Sequence, residues 1–506
     1  MLKEVKLTGE QRNILFLPFD SPIQIKGVAG SGKTTVAIYR AKQYLETKGT
    51  LFDQPKVGIF TFNKNLVRYI QSLCRSVKAP EENSTAGLNA ETTNFHSWVY
   101  QNLIVNRYQL NVLKEWEKTD IINSILIDLK NTYDSSILNK RVQFFVDEIS
   151  WIKGKIIKDW ITYSDIPRTG RGTKDRVTSD DRKYIWKVYD KYKQRLSNIS
   201  KHDFDDFALI ALKELERLNY PKYYDHLVID EAQDLNKAQM LVLSSLVPES
   251  KKSITIIADA AQRIYKSGFN WKEVGLSVAG GRTHELSKNY RNNIHVARAA
   301  KSLLDNEEDQ SEFTELVESV RDSDLKPELI FCTSTNIHIE TIVEKVQNIK
   351  GEFHKDNVVI LHRSYDGLQE IEQAFSKNGI KFERFNDVRD YNFSTPIVIT
   401  CTMSSIKGLE FDHVLITGLN SDAIPDPKRY SDDEDDLHES TERRLLYTAM
   451  TRAQVQLYLF CVEGKESQFI DELNHSHFTV IKNNETNSSN VEISDNFDDW
   501  DDDLPF

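Results

Sequence analysis

The sequence predicts an α/β protein built on parallel sheets. Short runs rich in Val, Ile and Leu alternate with long helical patterns, and these runs are apolar on both faces, as buried parallel strands require. A glycine-rich turn also joins one such run directly to a helix-like segment.

In chain order the expected core strands are "IQIKG" (23–27), "VGIFTF" (57–62), "HLVID" (226–230), "SITIIAD" (253–259), "LIFCT" (329–333), "NVVIL" (357–361), "PIVITCT" (396–402) and "HVLITGL" (413–419). Between about 101 and 200 such runs are missing, and aromatic and basic residues recur at helical spacing, as in "RKYIWKVYDKYKQRL" (182–196). A helical insertion at 101–199 therefore interrupts a first α/β domain of 1–100 and 200–280, and a second α/β domain follows at 281–482. From 483 to 506 the chain is Asn-, Ser- and Asp-rich, too polar to pack, and is expected to be a disordered acidic tail.

Bulk numbers leave the partner open. The 506 residues suffice for two to four domains, with 39% hydrophobic and 28% charged residues. The four cysteines are scattered, which suggests neither zinc nor a disulfide framework. No apolar run reaches membrane-spanning length and the start lacks a signal-peptide core, so a cytoplasmic protein without a membrane partner is expected. Net charge is -12, but eight acidic residues and no basic one lie beyond Lys482, leaving the remainder near -4. Local patches, not overall charge, must then decide on nucleic acid.

"GVAGSGKTT" (27–35) sits between a strand and a helix, the context a phosphate-binding loop requires. Gly27, Gly30 and Gly32 let the backbone wrap phosphate oxygens, and Ala29, Ser31 and Thr35 complete the loop. Lys33 is expected to neutralise β/γ-phosphates and Thr34 to ligate Mg²⁺. "LVIDEAQD" (227–234) ends a strand in two carboxylates. Asp230 is expected to hold Mg²⁺ and Glu231 to orient or deprotonate the attacking water, since one carboxylate cannot do both. ATP and Mg²⁺ are thus the expected cofactors.

With these in place, the chain resembles UvrD/Rep/PcrA-type superfamily 1 DNA helicases, and the matches run in family order. "LTGEQRNIL" (7–15) is similar to the Q motif; "FTFNKNL" (60–66) and "NFHSW" (94–98) to two strand-contacting motifs; "DFDDFAL" (203–209) to "DFDDLL"; and "ADAAQRIY" (258–265) to "GDxxQSIY". "LSKNYRNN" (286–293), "TMSSIKGLEF" (402–411) and "ERRLLYTAMTRA" (442–453) resemble motifs IV, V and VI. The resemblance implies two RecA-like motor domains. It gives Gln11 to adenine reading, Tyr290 to stacking on adenine, Gln262, Arg291 and Arg452 to the γ-phosphate, and Glu410 to the sugar or γ-phosphate region. Permanently charged, planar guanidinium groups suit such a task, and arginine fingers can contribute about 10³–10⁵ in turnover.

Strand tracking needs aromatic faces and backbone contacts. Phe95, Tyr265, Phe269 and Trp271 are the stacking candidates, with Phe62 a weaker one inside a strand; Asn63, Lys64 and His96 are phosphate or base contacts by resemblance. Arg168, Arg171, Lys174 and Arg176, in "IPRTGRGTKDR" (166–176), read equally as duplex contacts or as a solvated surface. "YSDDEDD" (430–436) reads as an exposed loop without a role.

Two departures stand out. Ser404 replaces the histidine of the family's T-x-H-S, which puts one DNA or coupling contact in question. Residues 361–387 run almost directly into motif V, which leaves no room for the large helical subdomain found there in the family. The expected function is an ATP-dependent single-stranded-DNA translocase or helicase, 3′ to 5′ by resemblance, acting on single strands or tailed duplexes in repair, recombination or defence against foreign DNA. The alternatives are an ATP-gated DNA sensor or recruitment factor working with a partner such as a nuclease, and an RNA-directed motor. The closing Asp501, Asp502, Asp503, Leu504, Pro505 and Phe506 resemble the tip of bacterial single-stranded-DNA-binding protein. That tip implies either a partner protein that captures it or an autoinhibitory hook.

Overall fold

The computed structural model describes residues 7–50, 54–61, 67, 70–71, 90–105, 111–168, 177–250, 252–259, 261, 269–307, 313, 318–321, 323–385, 397–426 and 436–483. In chain order the first half forms β1 (Ile23–Gly27), β2 (Val57–Thr61), β3 (Glu91–Asn94), the two-residue strands β4 (Asn111–Val112) and β5 (Lys201–His202), then β6 (His226–Ile229), β7 (Ile254–Ala258) and β8 (Thr283–Leu286). Six of them make one sheet in the order β3-β2-β6-β7-β1-β8, and each pairing is parallel.

The apolar runs are continuous because both faces of this sheet are covered. Along β2, Ile59 enters one core with Ile25 and Val36, while Phe60 enters the opposite core with Ile229 and Ile256. The same alternation separates Val228 from Leu227 and Ile229 on β6.

Helices α1 (Gly9–Leu15) and α2 (Lys33–Lys48) flank β1. Helix α3 (Phe95–Val99), capped by the Asn94 side chain, runs into a wider turn at Tyr100–Ile104. Trp98, Leu103 and Ile104 pack into the first domain's core, so the insertion begins later than the expected residue 101. It comprises α4 (Glu115–Lys130), α5 (Val142–Gly154), α6 (Trp160–Asp165) and α7 (Ser179–Asn198), packed around Ile122, Ile125, Phe145, Val188 and Tyr192. The β4–β5 ladder closes its two ends. Helix α8 (Asp206–Arg217) then returns to the first domain.

The second half forms β9 (Lys288–Asn293), β10 (Glu318–Arg321), β11 (Glu328–Cys332), β12 (Val358–His362), β13 (Phe382–Arg384), β14 (Val398–Thr402), β15 (Phe411–Ile416), β16 (Ala453–Val462) and β17 (Thr479–Asn483). Seven of these make a second parallel sheet in the order β13-β14-β12-β15-β16-β11-β17. Val359 and Leu361 face one core and Val358 and Ile360 the other.

The expected boundary at 280/281 is corrected. Thr283–Leu286 pairs with Gln24–Gly27 and so belongs to the first sheet, and the second domain starts at β9. The ten-residue β16, interior to its sheet, went unrecognised because it follows motif VI directly, with no glycine or proline before its first residue to mark a strand start.

Candidate active site

Strand β1 lies between β7 and β8, and its C-terminal end opens into the glycine-rich turn before α2. Gly30 and Gly32 adopt the left-handed conformation that glycine alone takes freely. A side chain on Gly30 would collide with Asn289 of the second domain, and one on Gly32 with Gln11. The two glycines therefore let Asn289 and Gln11 approach the loop backbone closely.

Lys33 Nζ donates to the carbonyls of Gly27 and Val28 at 2.9 Å each and pairs with Asp259 at 2.8 Å. Asp259 ends β7, the strand between β1 and β6, so it stands nearer the lysine than Asp230 does. Sequence reasoning passed over it, although it closes an expected strand and opens "ADAAQRIY".

At the end of β6, Asp230 accepts a 2.8 Å hydrogen bond from the Thr34 hydroxyl. Glu231 holds a left-handed backbone, φ 55°, which is costly for a side chain of its size. Burial and the adjacent Glu231 charge push the Asp230 carboxyl above the usual range. Burial also opposes ionisation of Glu231, but Lys407, Lys33 and Arg452 outweigh it and keep that carboxyl below its ordinary value. Two adjacent carboxyls are thereby driven apart, the pattern of groups with different roles.

The opposite wall comes from the second domain. Arg291 pairs with Glu410 and donates to the Thr451 carbonyl at 3.2 Å, and Gln454 donates to Glu410 at 2.7 Å. Arg452 follows helix Asp436–Met450; its Nε reaches the Thr448 carbonyl at 2.8 Å. Its Nη2 and the Nε of Arg291 are buried donors with no hydrogen-bond partner. Burial and the facing Arg291 charge lower the Arg452 pKa to about 10. One pocket is lined by Gly30, Gly32, Lys33, Thr34, Thr35 and Glu231 from the first domain and by Arg291, Gly408, Glu410 and Arg452 from the second.

Tyr290 and Lys407 join the two walls, and Gln11 braces the loop from within the first domain. Tyr290 N–H donates to the Gly30 carbonyl at 2.8 Å, and its hydroxyl lies 2.5 Å from that of Thr8. Gln11 Nε2 donates to the Ser31 carbonyl at 2.9 Å. Lys407, fully buried, bonds Asp234 and approaches Glu231 at 3.4 Å. Lys407 was not singled out from sequence, although it stands in "TMSSIKGLEF".

The nucleic-acid side needs two corrections. Phe95 is 2% exposed, because it opens α3 facing the core, and it offers no stacking face. Beside it Phe204 is 47% exposed, stacked on Phe207 at 5.8 Å and edge-on to His96 at 5.6 Å. Arg168 does not face solvent. It pairs at 2.6 Å with Glu148, a wholly buried carboxylate that also accepts from the Tyr163 hydroxyl at 2.7 Å and could not be buried unpaired. Phe269 and Trp271, perpendicular at 5.5 Å, are half-buried. Phe62, Asn63, Lys64, Arg171, Lys174, Arg176, Gln262, Tyr265 and the tail 501–506 lie outside the described residues, as does nearly all of 430–436.

Among the described residues no cluster of three or more His, Cys, Asp or Glu side chains could hold a metal. Thr34 and Asp230 nonetheless fit Mg²⁺, a hard cation that binds through one or two protein oxygens plus waters and phosphate. No helix among the described residues is long and apolar enough to cross a membrane.

Residues 7–270 match the family model for the UvrD/REP helicase N-terminal domain, and residues 284–394 and 386–464 match that for the UvrD-like helicase C-terminal domain. The chain is 22% identical over 425 residues to a probable DNA helicase II homolog of Mycoplasma capricolum subsp. capricolum, covering 79% of this chain and 54% of that protein. It is 22% identical over 403 residues to the ATP-dependent DNA helicase PcrA of Bacillus subtilis, covering 74% and 49%. PcrA of Staphylococcus aureus strain Mu50 is similar at 22% over 408 residues, covering 74% and 50%. The chain spans about half the length of the curated relatives it matches.

Proposed function

The chain belongs to the UvrD-like helicase family, and on that premise we propose that it is an ATP-driven single-stranded-DNA translocase or helicase moving 3′ to 5′. One observation carries the reading most directly. Arg291 and Arg452 bring unsatisfied buried donors to a pocket whose other wall is the glycine-rich loop. Such donors suit a transferring phosphoryl group held between two domains.

In this reading Lys33 exchanges the Gly27 and Val28 carbonyls for phosphate oxygens, and Gln11 and Tyr290 hold the adenine. Glu231, kept ionised by its cationic neighbours, accepts the proton of the attacking water, while Arg291 and Arg452 donate to the γ-phosphate. Thr34 and Asp230 would hold Mg²⁺, which when bound neutralises phosphate charge. Lys407 ties motif V to the base Glu231, which supports coupling between strand and nucleotide. On the strand side Phe204, His96, Phe269 and Trp271 supply rings and a polar edge for bases of any identity.

The C-terminal family model matches in two segments that meet at 386–394, and β13 pairs directly with β14. That supports a motor without a large helical subdomain at this point, one that translocates well and relies on a partner protein to unwind. The test is steady-state ATP turnover against single-stranded DNA concentration, with Lys33→Ala as blank. A large DNA-dependent rise lost in the blank is expected, followed by one-way displacement of a blocked 5′ end. Turnover that ignores DNA would overturn the motor reading in favour of an ATP-gated switch.

A further inference from the structure

We propose that Arg40 is a positioning residue for recognition of the nucleotide base: it clamps the carbonyl end of α1 and thereby holds Gln11 against the phosphate loop. The inference rests on the adenine-reading role given to Gln11 above.

Arg40 is 1% exposed, and no carboxylate is among the partners of its guanidinium. Nη1 donates to the carbonyls of Ile14 at 2.6 Å, Leu17 at 3.2 Å and Leu15 at 3.4 Å. Nη2 reaches Pro18 O at 3.4 Å and Nε the Thr255 hydroxyl on β7 at 3.1 Å, while the Phe19 ring lies 4.1 Å beneath the guanidinium carbon. A cation buried without a counter-charge is costly unless oriented dipoles replace water. Here the negative end of a helix and the turn after it supply them. Burial lowers the Arg40 pKa to about 9, so the group stays cationic at neutral pH.

Helix α1 requires such a clamp. Seven residues are too few for a stable helix in isolation, and its last carbonyls have no partner within it. Its other end is bonded to the glycine-rich loop and to Ser287. Thr8 N–H donates to Gln11 Oε1 at 3.2 Å, Gln11 Nε2 to Ser31 O at 2.9 Å, and Glu10 accepts from the Ser287 hydroxyl at 2.8 Å. Arg40 lies two turns beyond Lys33 on α2, about 10 Å along the same helix face. One rigid helix thus carries the phosphate ligands at its start and, farther along, the residue that fixes the base reader. Without Arg40 the carbonyl end of α1 frays, and Gln11 loses its registry with the loop while the loop itself is untouched.

The test is equilibrium binding of ATP, GTP and inorganic tripolyphosphate to the full chain, comparing wild type, Arg40→Met, Arg40→Lys, Gln11→Ala and the double variant Arg40→Met/Gln11→Ala. Arg40→Met is expected to weaken ATP about 10- to 100-fold, the scale of a ~1 Å misplacement, and tripolyphosphate less than about twofold. Arg40→Lys is expected to fall between, because an ammonium reaches fewer carbonyls. The double variant should bind ATP no more weakly than the worse single, since both act through one contact. Unchanged ATP affinity in Arg40→Met, or an equal loss of ATP and tripolyphosphate, overturns the proposal. If Arg40→Met does not fold, Arg40→Lys is decisive by the same ATP-to-tripolyphosphate ratio. A wild-type chain that does not prefer ATP to GTP overturns base reading and this proposal together. Absent DNA stimulation of turnover would sink only the motor reading, because binding needs no turnover.

Discussion

Where the helical insertion meets the first domain, and again in the nucleotide cleft, the chain buries several charges side by side, but it balances them differently. At the junction Lys153 bonds Asp203 at 2.8 Å and Asp206 at 2.7 Å, and Lys118 bonds Asp205 and Ser150 at 2.9 Å each. The Tyr192 hydroxyl donates to Asp203 at 2.8 Å. Both cations there have carboxylate partners within the cluster. In the cleft two arginines face each other, each with an unsatisfied donor, and adjacent carboxyls are pushed in opposite directions. The junction fastens an inserted domain, whereas the cleft leaves donors unpaired, which in the proposed reading an incoming anion satisfies. Buried charge by itself therefore says little about function, and the state of its partners says much more.

The sharpest break of that contrast is Arg452→Ala, expected to cut DNA-stimulated ATP turnover by about 10³-fold or more. Thermal unfolding should show a smaller loss of stability than Asp203→Ala causes, since relief of the facing Arg291 charge offsets part of the lost packing and of the Thr448 contact. A large loss of melting temperature would mean that Arg452 is structural, like the junction lysines. The reverse pattern is expected of Asp203→Ala. Leaving Lys153 and Lys118 with too little counter-charge should cost about 3–5 kcal/mol locally. Hydrogen exchange over 111–202 would report it, with ATP turnover per folded molecule retained.

The same residue gives a pH test. Burial opposes ionisation of Asp203, but Lys153 and Lys118 prevail and hold its carboxyl well below the usual carboxylate range. A carboxyl depressed in the folded state contributes fully above its unfolded value of about 3.9 and loses that contribution as pH falls through the folded one. Protection of the insertion should thus be flat from neutrality to mild acid and fall only in stronger acid. Loss of protection already between pH 5 and 7 would contradict the pairing. The smallest effect is expected on the strand side. Phe204→Ala should weaken single-stranded-DNA binding by about 1–3 kcal/mol, measured by fluorescence titration. Phe95→Leu, a core change, should alter stability and leave DNA affinity nearly unchanged.

The eight expected strands, the glycine-rich loop, the carboxylates after β6 and the motif arginines were legible because each is a local event. A run of apolar residues, a turn that only glycine adopts, or an acidic pair at a strand end leaves its mark on a few consecutive residues. Tertiary structure alone decided the partners. Asp259 outranks Asp230 at Lys33 because β7 was inserted between β1 and β6 in the sheet order. Lys407 reaches Glu231 and Asp234 across two domains. Arg168 turns inward to a carboxylate 20 residues away, and Phe95 is buried while Phe204 is exposed. Arg40, one more basic residue on an amphipathic helix, reveals its role only where the chain brings four carbonyls to it. A side chain's identity fixes which interactions it can make, and the packing of distant segments decides which of them are made.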